Sequence, residues 1–480
     1  MNLFQTFAHL LQSWRPVFPQ DRTFVRAQRL ALALLLCLRS HLTSSAICAS
    51  GRQFQDWSAD YRLFSRSHWE ARDLFNTVLD HLQPLLPPAP APLLVALDDT
   101  LCKKTGRRIP GATIARDPQS LPYHVNLCRG LRFVQASVLI PSAGPARALP
   151  VRFELAPPAA KPKKNATAEQ VAAYRQEKKR RALPQVGVET LASVRAAMDE
   201  RDDLRERLLV AAVDGSYTNR GVLPKLPPRT VLIGRIRKDA KLCQPLPEGA
   251  GGRGQGRPKR YGPPAPTPQE VLADESIPLQ HVTCFAAGQI REMPVKVYGP
   301  VYWRKAGADM PLLLIVVKPL GYRLRQGSKL LYREPAFLIC TDPAMCLQEI
   351  VQDYVYRWEI EVNHRDEKSL LGVAQGQVWN ANAVPRLPAF QVAGYSLLVL
   401  ASLLTYGAQR TADYLPLPKW RGKSQRPSLL DIVNLLRHQM FAYAWEEGRR
   451  VIEQVEVAPM SATKSVKIPP LAERLCTMAA

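Results

Sequence analysis

No CxxC pair occurs among the nine cysteines, and the eight histidines are dispersed, with no HExxH. Neither a zinc site nor a disulfide framework is supported, so carboxylates must carry any metal. Scattered thiols fit a reducing cytosol. Long apolar runs are lacking too. The longest, Leu30 to Leu38, is closed by Arg29 and Arg39, and it falls well short of the roughly 20 residues that span a bilayer. No small-residue cleavage site follows a short basic start. The run reads as a buried helix, and no membrane partner is expected. Pro247 to Pro268 is rich in Gly, Pro and Arg, but no GK[ST] follows it. It reads as a flexible loop rather than a phosphate cradle. No internal repeat occurs.

What is present is positive charge. The 480 residues carry 65 Lys and Arg against 41 Asp and Glu, a formal net charge of +24. Such an excess repels itself in the compact state and calls for a polyanionic partner. DNA is one, since neutralising its phosphates releases counterions; RNA is the alternative on charge alone. Hydrophobic residues at 46% give a normal globular fraction, and 480 residues are enough for two or three domains.

Residues 1 to about 85 read as helical, with Phe64, Trp69, Leu74, Phe75, Val78 and Leu82 suiting an amphipathic stripe. Pro84 to Pro92 acts as a stiff linker. A strand over Leu93–Leu97 ends in Asp98-Asp99-Thr100, and further strands are expected near Tyr123–Cys128 and Arg132–Ile140. Pro157 to Lys164 reads as a loop, and Thr167 with Gln170 forms a capping box opening a charged helix that reaches Arg181. A helix over roughly Val186 to Arg207 leads into a strand, Leu208–Val213, and then Asp214-Gly215. Between 228 and 341 strand signals recur at Val231–Ile236, Val295–Trp303, Leu312–Val317 and Ala336–Cys340. Asp342-Pro343 reads as the start of a helix running to about Leu371. A helical C-terminal region follows, with basic residues Lys419, Arg421, Lys423 and Arg426.

Three acids stand out by position. Asp99 and Asp214 each close a short apolar strand, and Glu361 lies within the long helix. Hard cations such as Mg²⁺ take oxygen ligands and keep much of their water. Two such ions together activate an attacking oxygen and stabilise a leaving one. On the helix, Tyr354, Arg357, Glu361 and Lys368 follow one another at steps of 3, 4 and 7 residues, so they share one face. An ordinary solvated face would look similar. Two cations beside a carboxylate also suit a site that grips a phosphodiester backbone. Asp98 rivals Asp99, since adjacent strand residues point to opposite sheet faces. Glu359 rivals Glu361, but two helical steps rotate it by about 200° off the stripe.

The spacing Tyr354-xx-Arg357-xxx-Glu361-xxxxxx-Lys368 resembles the Y-R-E-K signature of a large group of bacterial insertion-sequence transposases of the DDE class. Ala96-Leu97-Asp98-Asp99-Thr100 resembles their first-aspartate strand, and Val213-Asp214-Gly215 their second. The resemblance covers roughly 93 to 372. It implies an α/β fold: a ribonuclease-H-like mixed-sheet core, a β-rich insertion domain, and helical N- and C-terminal regions. The expected division is a DNA-binding region 1–85, core 93–227, insertion 228–341, second core part 342–375, and C-terminal region 376–480. The resemblance further implies cut-and-paste transposition, with Asp99, Asp214 and Glu361 catalytic and holding two Mg²⁺ ions, for which Mn²⁺ substitutes. Asp99 is favoured over Asp98 because the family's aspartate directly precedes Thr. Tyr354, Arg357 and Lys368 would contact DNA. Trp303 would either stack on an extruded base, as in some relatives, or simply be core; Lys103 and Lys104 either contact phosphates or form a solvated loop. Expected partners are double-stranded DNA, as terminal inverted repeats and target, and a second copy in a synaptic homodimer. The expected location is the bacterial cytoplasm, at the nucleoid. Two other readings remain: a ribonuclease-H-like nuclease without strand transfer, and a non-catalytic DNA-binding repressor.

Overall fold

Alternating and continuous apolar runs between 93 and 340 assemble into one large mixed sheet, and the helices on either side cover it. The computed structural model describes residues 1–37, 40–117, 120–121, 123–142, 144–247, 260–286, 288–323, 327–422 and 424–454. Leu38 and Arg39, residues 248–259 of the Gly/Pro/Arg-rich stretch, and Lys423 therefore lie outside the described residues.

Five helices come first: α1 (Leu3–Gln12), α2 (Asp21–Leu36), α3 (Thr43–Ala49), α4 (Ser58–Ser65) and α5 (Ala71–Asp80). Asn2 and Gln5 close a capping box on α1, satisfying otherwise orphaned amides. The stripe from Phe64 to Leu82 is buried as expected, but it is split between α4 and α5 and the turns beside them. Trp14 Nε1 donates to the Leu74 carbonyl at 3.1 Å.

The sheet strands are β1 (Leu93–Lys103), β2 (Thr113–Arg116), β3 (Leu127–Ile140) and β4 (Arg147–Leu155). Helices α6 (Ala168–Arg180) and α7 (Leu183–Asp199) precede β5 (Leu209–Val213) and β6 (Thr230–Arg235). After α8 (Pro268–Ala273) come β7 (Gln280–Ala286), β8 (Gln289–Trp303) and β9 (Ala308–Val317). A small separate ladder pairs β10 (Gly321–Tyr322) with β11 (Leu331–Tyr332), and β12 (Ala336–Cys340) returns to the main sheet. The predicted capping box is present: Thr167 accepts from the Gln170 amide, and Gln170 bonds back to Thr167.

Strands β4, β3, β1, β5 and β6 lie side by side in that order. Strand β3 runs antiparallel to β1, β2 and β4, and β1, β5 and β6 are mutually parallel. This is the mixed sheet of a ribonuclease-H-like core. β5 is buried along its whole length, which is why it reads as an unbroken apolar run. The sheet continues from β6 through β12, β9, β8 and β7, each antiparallel to its neighbour. Strand β6, at the start of the 228–341 block, thus pairs directly with β5.

Four helices follow among the described residues: α9 (Leu347–Tyr356), α10 (Trp358–Ser369), α11 (Ala383–Tyr406) and α12 (Leu429–Gln454). Two expectations are corrected here. The Asp342 carboxylate caps the Ala344 amide in a turn, and the helix begins only at Leu347. The single helix expected to Leu371 is divided at Arg357, although Arg357 itself stays right-handed helical. Helix α11 is long and apolar enough to cross a membrane by length and composition, but 94% of its apolar window is buried inside the fold. Its Phe390 ring packs on Trp14, Phe64 and Trp69, joining the N-terminal helices to the core.

Candidate active site

Alternation along β1 sorts its side chains. Leu94, Ala96 and Asp98 project to one face, and Leu93, Val95, Leu97 and Asp99 to the other. The sequence suggested that the strand ends at Leu97. It continues to Lys103 because β3 pairs with it throughout, with Asp98 opposite Gln135 and Asp99 opposite Val134. Asp99 therefore lies inside a strand rather than at its end.

The two faces carry different helices. Ser137, in register with Ala96, donates to Asn363 of α10 at 3.0 Å, so α10 covers the Asp98 face. Arg357, at the α9–α10 junction, sends Nη1 to Asp98 Oδ2 at 3.2 Å and Nη2 to Glu361 Oε1 at 3.0 Å. Its guanidinium also lies 5.7 Å from the centre of the Tyr354 ring. On the opposite face, Gly187 of α7 lies close to Leu97. There Asp99 accepts from the Tyr217 hydroxyl at 3.3 Å and pairs with Arg132 at 3.3 Å.

Asp214 follows β5, beside β1, and caps a short 3₁₀ turn by accepting from the Ser216 amide at 2.9 Å. It is half-buried and lies within electrostatic reach of both β1 aspartates. Burial pushes the Asp98 carboxyl up to about 7, with Arg357 opposing and Asp214 reinforcing the rise. Asp99 is also raised, first by burial, with Arg132 opposing and Asp214 adding to it. Burial likewise raises the Tyr217 phenol.

Of the sequence-predicted residues, Tyr354, Arg357 and Glu361 meet at one place. Lys368, further along α10, acts electrostatically on Asp99. Glu359 is excluded from the cluster: both its oxygens are taken by Arg426, at 2.8 and 3.1 Å. Trp303 is not brought in. It ends β8, half-buried against the main core. Three strands separate β8 from β5, about 19 Å at the usual spacing. Lys103 pairs with Asp117, and Lys104 donates to the Ala374 and Gly376 carbonyls, so Lys104 is committed to holding a turn. In the basic C-terminal patch Arg421 pairs with Asp431, as Arg426 does with Glu359.

Among the described residues no group of three or more His, Cys, Asp or Glu is arranged to hold a metal ion. Arg357 stands between two of the acids and supplies the positive charge there. The donor set still fits a hard divalent cation: carboxylates only, partly desolvated, with Asp98 left strained toward its neutral form. Tyr217 and Arg132 were not anticipated. Both are non-local partners, and nothing in the spacing marks them.

The model of the DDE superfamily endonucleases matches residues 15–290, more than half of the chain. The protein belongs to this family. DDE endonucleases act on DNA and in general use divalent metals, so this endonuclease has DNA as partner. The matched stretch includes both aspartate strands and ends before Tyr354. No curated protein matches the chain.

Proposed function

We propose that this endonuclease is a cut-and-paste transposase. It would hydrolyse the phosphodiester at an element's end and then use the freed 3′-hydroxyl to attack target DNA. The observation carrying this reading is the Arg357 bridge from the first aspartate strand to Glu361. It joins two motifs 259 residues apart in the chain. Two Mg²⁺ ions, or Mn²⁺ in their place, would be held by Asp214, Glu361 and one of the two β1 aspartates, supplying Lewis-acid stabilisation to the attacking and leaving oxygens. The chain's own residues position the DNA. Arg357 and Lys368 would hold phosphates flanking the scissile bond, and Tyr354 keeps Arg357 in place through its ring.

The net charge of +24 supports a duplex partner, as does α6, a helix with no buried residue and basic residues throughout its last turn. Double-stranded terminal repeats, a target duplex, a homodimer that pairs the two ends, and a place at the bacterial nucleoid complete the proposal. The division into regions 1–85, 93–227, 228–341, 342–375 and 376–480 belongs to it too.

The test is incubation of the protein with Mg²⁺ and DNA carrying the gene's own flanking ends together with a target plasmid. Cleavage at the boundary with 3′-ends joined to the plasmid is expected. Cleavage without joining would favour a plain nuclease. Binding without cleavage would favour a repressor.

A further inference from the structure

The two β1 aspartates are not equivalent, and the arginine of the helix stripe is spent on one of them. Asp98 lies on the face covered by α10, where Arg357 spans from it to Glu361 with contacts of 3.2 and 3.0 Å. The Val210–Ala212 alternation of β5, carried one step past the strand end in extended backbone, points Asp214 to that same face. Asp99 faces α7 and is already matched by the Tyr217 hydroxyl and Arg132. The Arg357 side chain is only 13% exposed, and its Nε is buried without a partner. Its charge is thus matched by the two carboxylates and the face of the Tyr354 ring.

We propose that Asp98, rather than Asp99, holds the divalent cation with Asp214 and Glu361, and that Arg357 is the placeholder the cation displaces. A guanidinium and a divalent ion cannot both bridge the same two carboxylates, because like charges at that range repel strongly. Metal entry therefore releases Arg357 from at least one acid. The freed planar donor then has two N–H groups to offer a DNA phosphate, the bidentate geometry that guanidinium favours. Metal loading and phosphate binding become coupled through one side chain. This inference rests on the metal-dependent reading of the site.

The experiment measures Mn²⁺ binding to the full-length protein without DNA, by the electron paramagnetic resonance signal of the free ion. Thermal unfolding of each variant is followed in parallel. Asp98→Asn is expected to weaken Mn²⁺ binding by about tenfold or more, and Asp99→Asn by clearly less. Arg357→Gln is expected to tighten binding severalfold, since the competing cation is gone, while Arg357→Lys stays close to wild type. A larger loss in Asp99→Asn than in Asp98→Asn, or weaker binding in folded Arg357→Gln, overturns the inference and leaves the metal-dependent reading standing. If Arg357→Gln does not fold, the isosteric aspartate pair decides alone. A wild-type protein that takes up no Mn²⁺ overturns both this inference and the metal-dependent reading beneath it.

Discussion

Glu367→Gln should stabilise the protein, and by more at pH 8 than at pH 5. Glu367 lies on α10 at 1% exposure, with Oε1 left without a hydrogen-bond partner. Burial pushes its carboxyl from 4.5 up to about 8, against the opposing pull of Gln135 and Lys368. Between those two values the folded protein keeps a proton that the unfolded chain has released. Stability from this group is therefore full below about 4.5 and is lost as pH rises toward about 8. At about 1.4 kcal/mol for each tenfold in proton affinity, the ceiling on that loss is roughly 5 kcal/mol. Relaxation around the ionised group brings the expected loss to about 2–3 kcal/mol. Glutamine is neutral throughout and removes the dependence. His364, pushed down to about 3 chiefly by burial, makes stability fall toward acid, but it is present in both proteins and cancels in the difference. Urea unfolding of wild type and variant at pH 5, 6.5 and 8 measures that difference directly. A gap that stays constant, or that grows toward acid, refutes the reasoning.

Two further outcomes follow from the same geometry. Glu359→Gln breaks the fork to Arg426 at a site where the side chains are 13% and 22% exposed. It should cost about 2–3 kcal/mol in thermal unfolding while leaving DNA cleavage intact at permissive temperature; loss of cleavage in folded protein would put Glu359 in the chemistry. Replacing the exposed Lys178 and Lys179 of α6 by Gln should lower the slope of log binding constant against log salt by about 0.9 for each phosphate the helix no longer neutralises, and an unchanged slope would mean that α6 does not touch DNA.

How much was legible depended on how local each signal is. The capping box at Thr167 and Gln170 involves residues three apart and stands as read. Strand β5 is apolar from end to end because neighbours cover both its sides, so its limits were readable to within a residue. Strand β4 was hidden by Pro150, which ordinarily breaks a strand. Here the β3–β4 register shifts at Ala136/Ser137, beside Pro150, and the Pro150 carbonyl accepts from Ser396 of α11. Asp342-Pro343 carries a genuine cap that serves a turn instead of a helix. Asp98 and Asp99 are the pair that local signals separate least. Alternation says they oppose each other, but which face carries Glu361 is fixed by the packing of β3 on α10, 226 residues apart. Glu359 and Glu361 are separated by helical rotation alone, and Arg426 occupies both oxygens of Glu359.

The most direct test is Mg²⁺-dependent cleavage of DNA bearing the gene's own flanking ends, comparing wild type, Glu361→Gln and Glu359→Gln. Boundary cleavage by wild type and Glu359→Gln, abolished by chelation and by Glu361→Gln with DNA binding retained, is the expected result. Undiminished cleavage by Glu361→Gln would contradict the account.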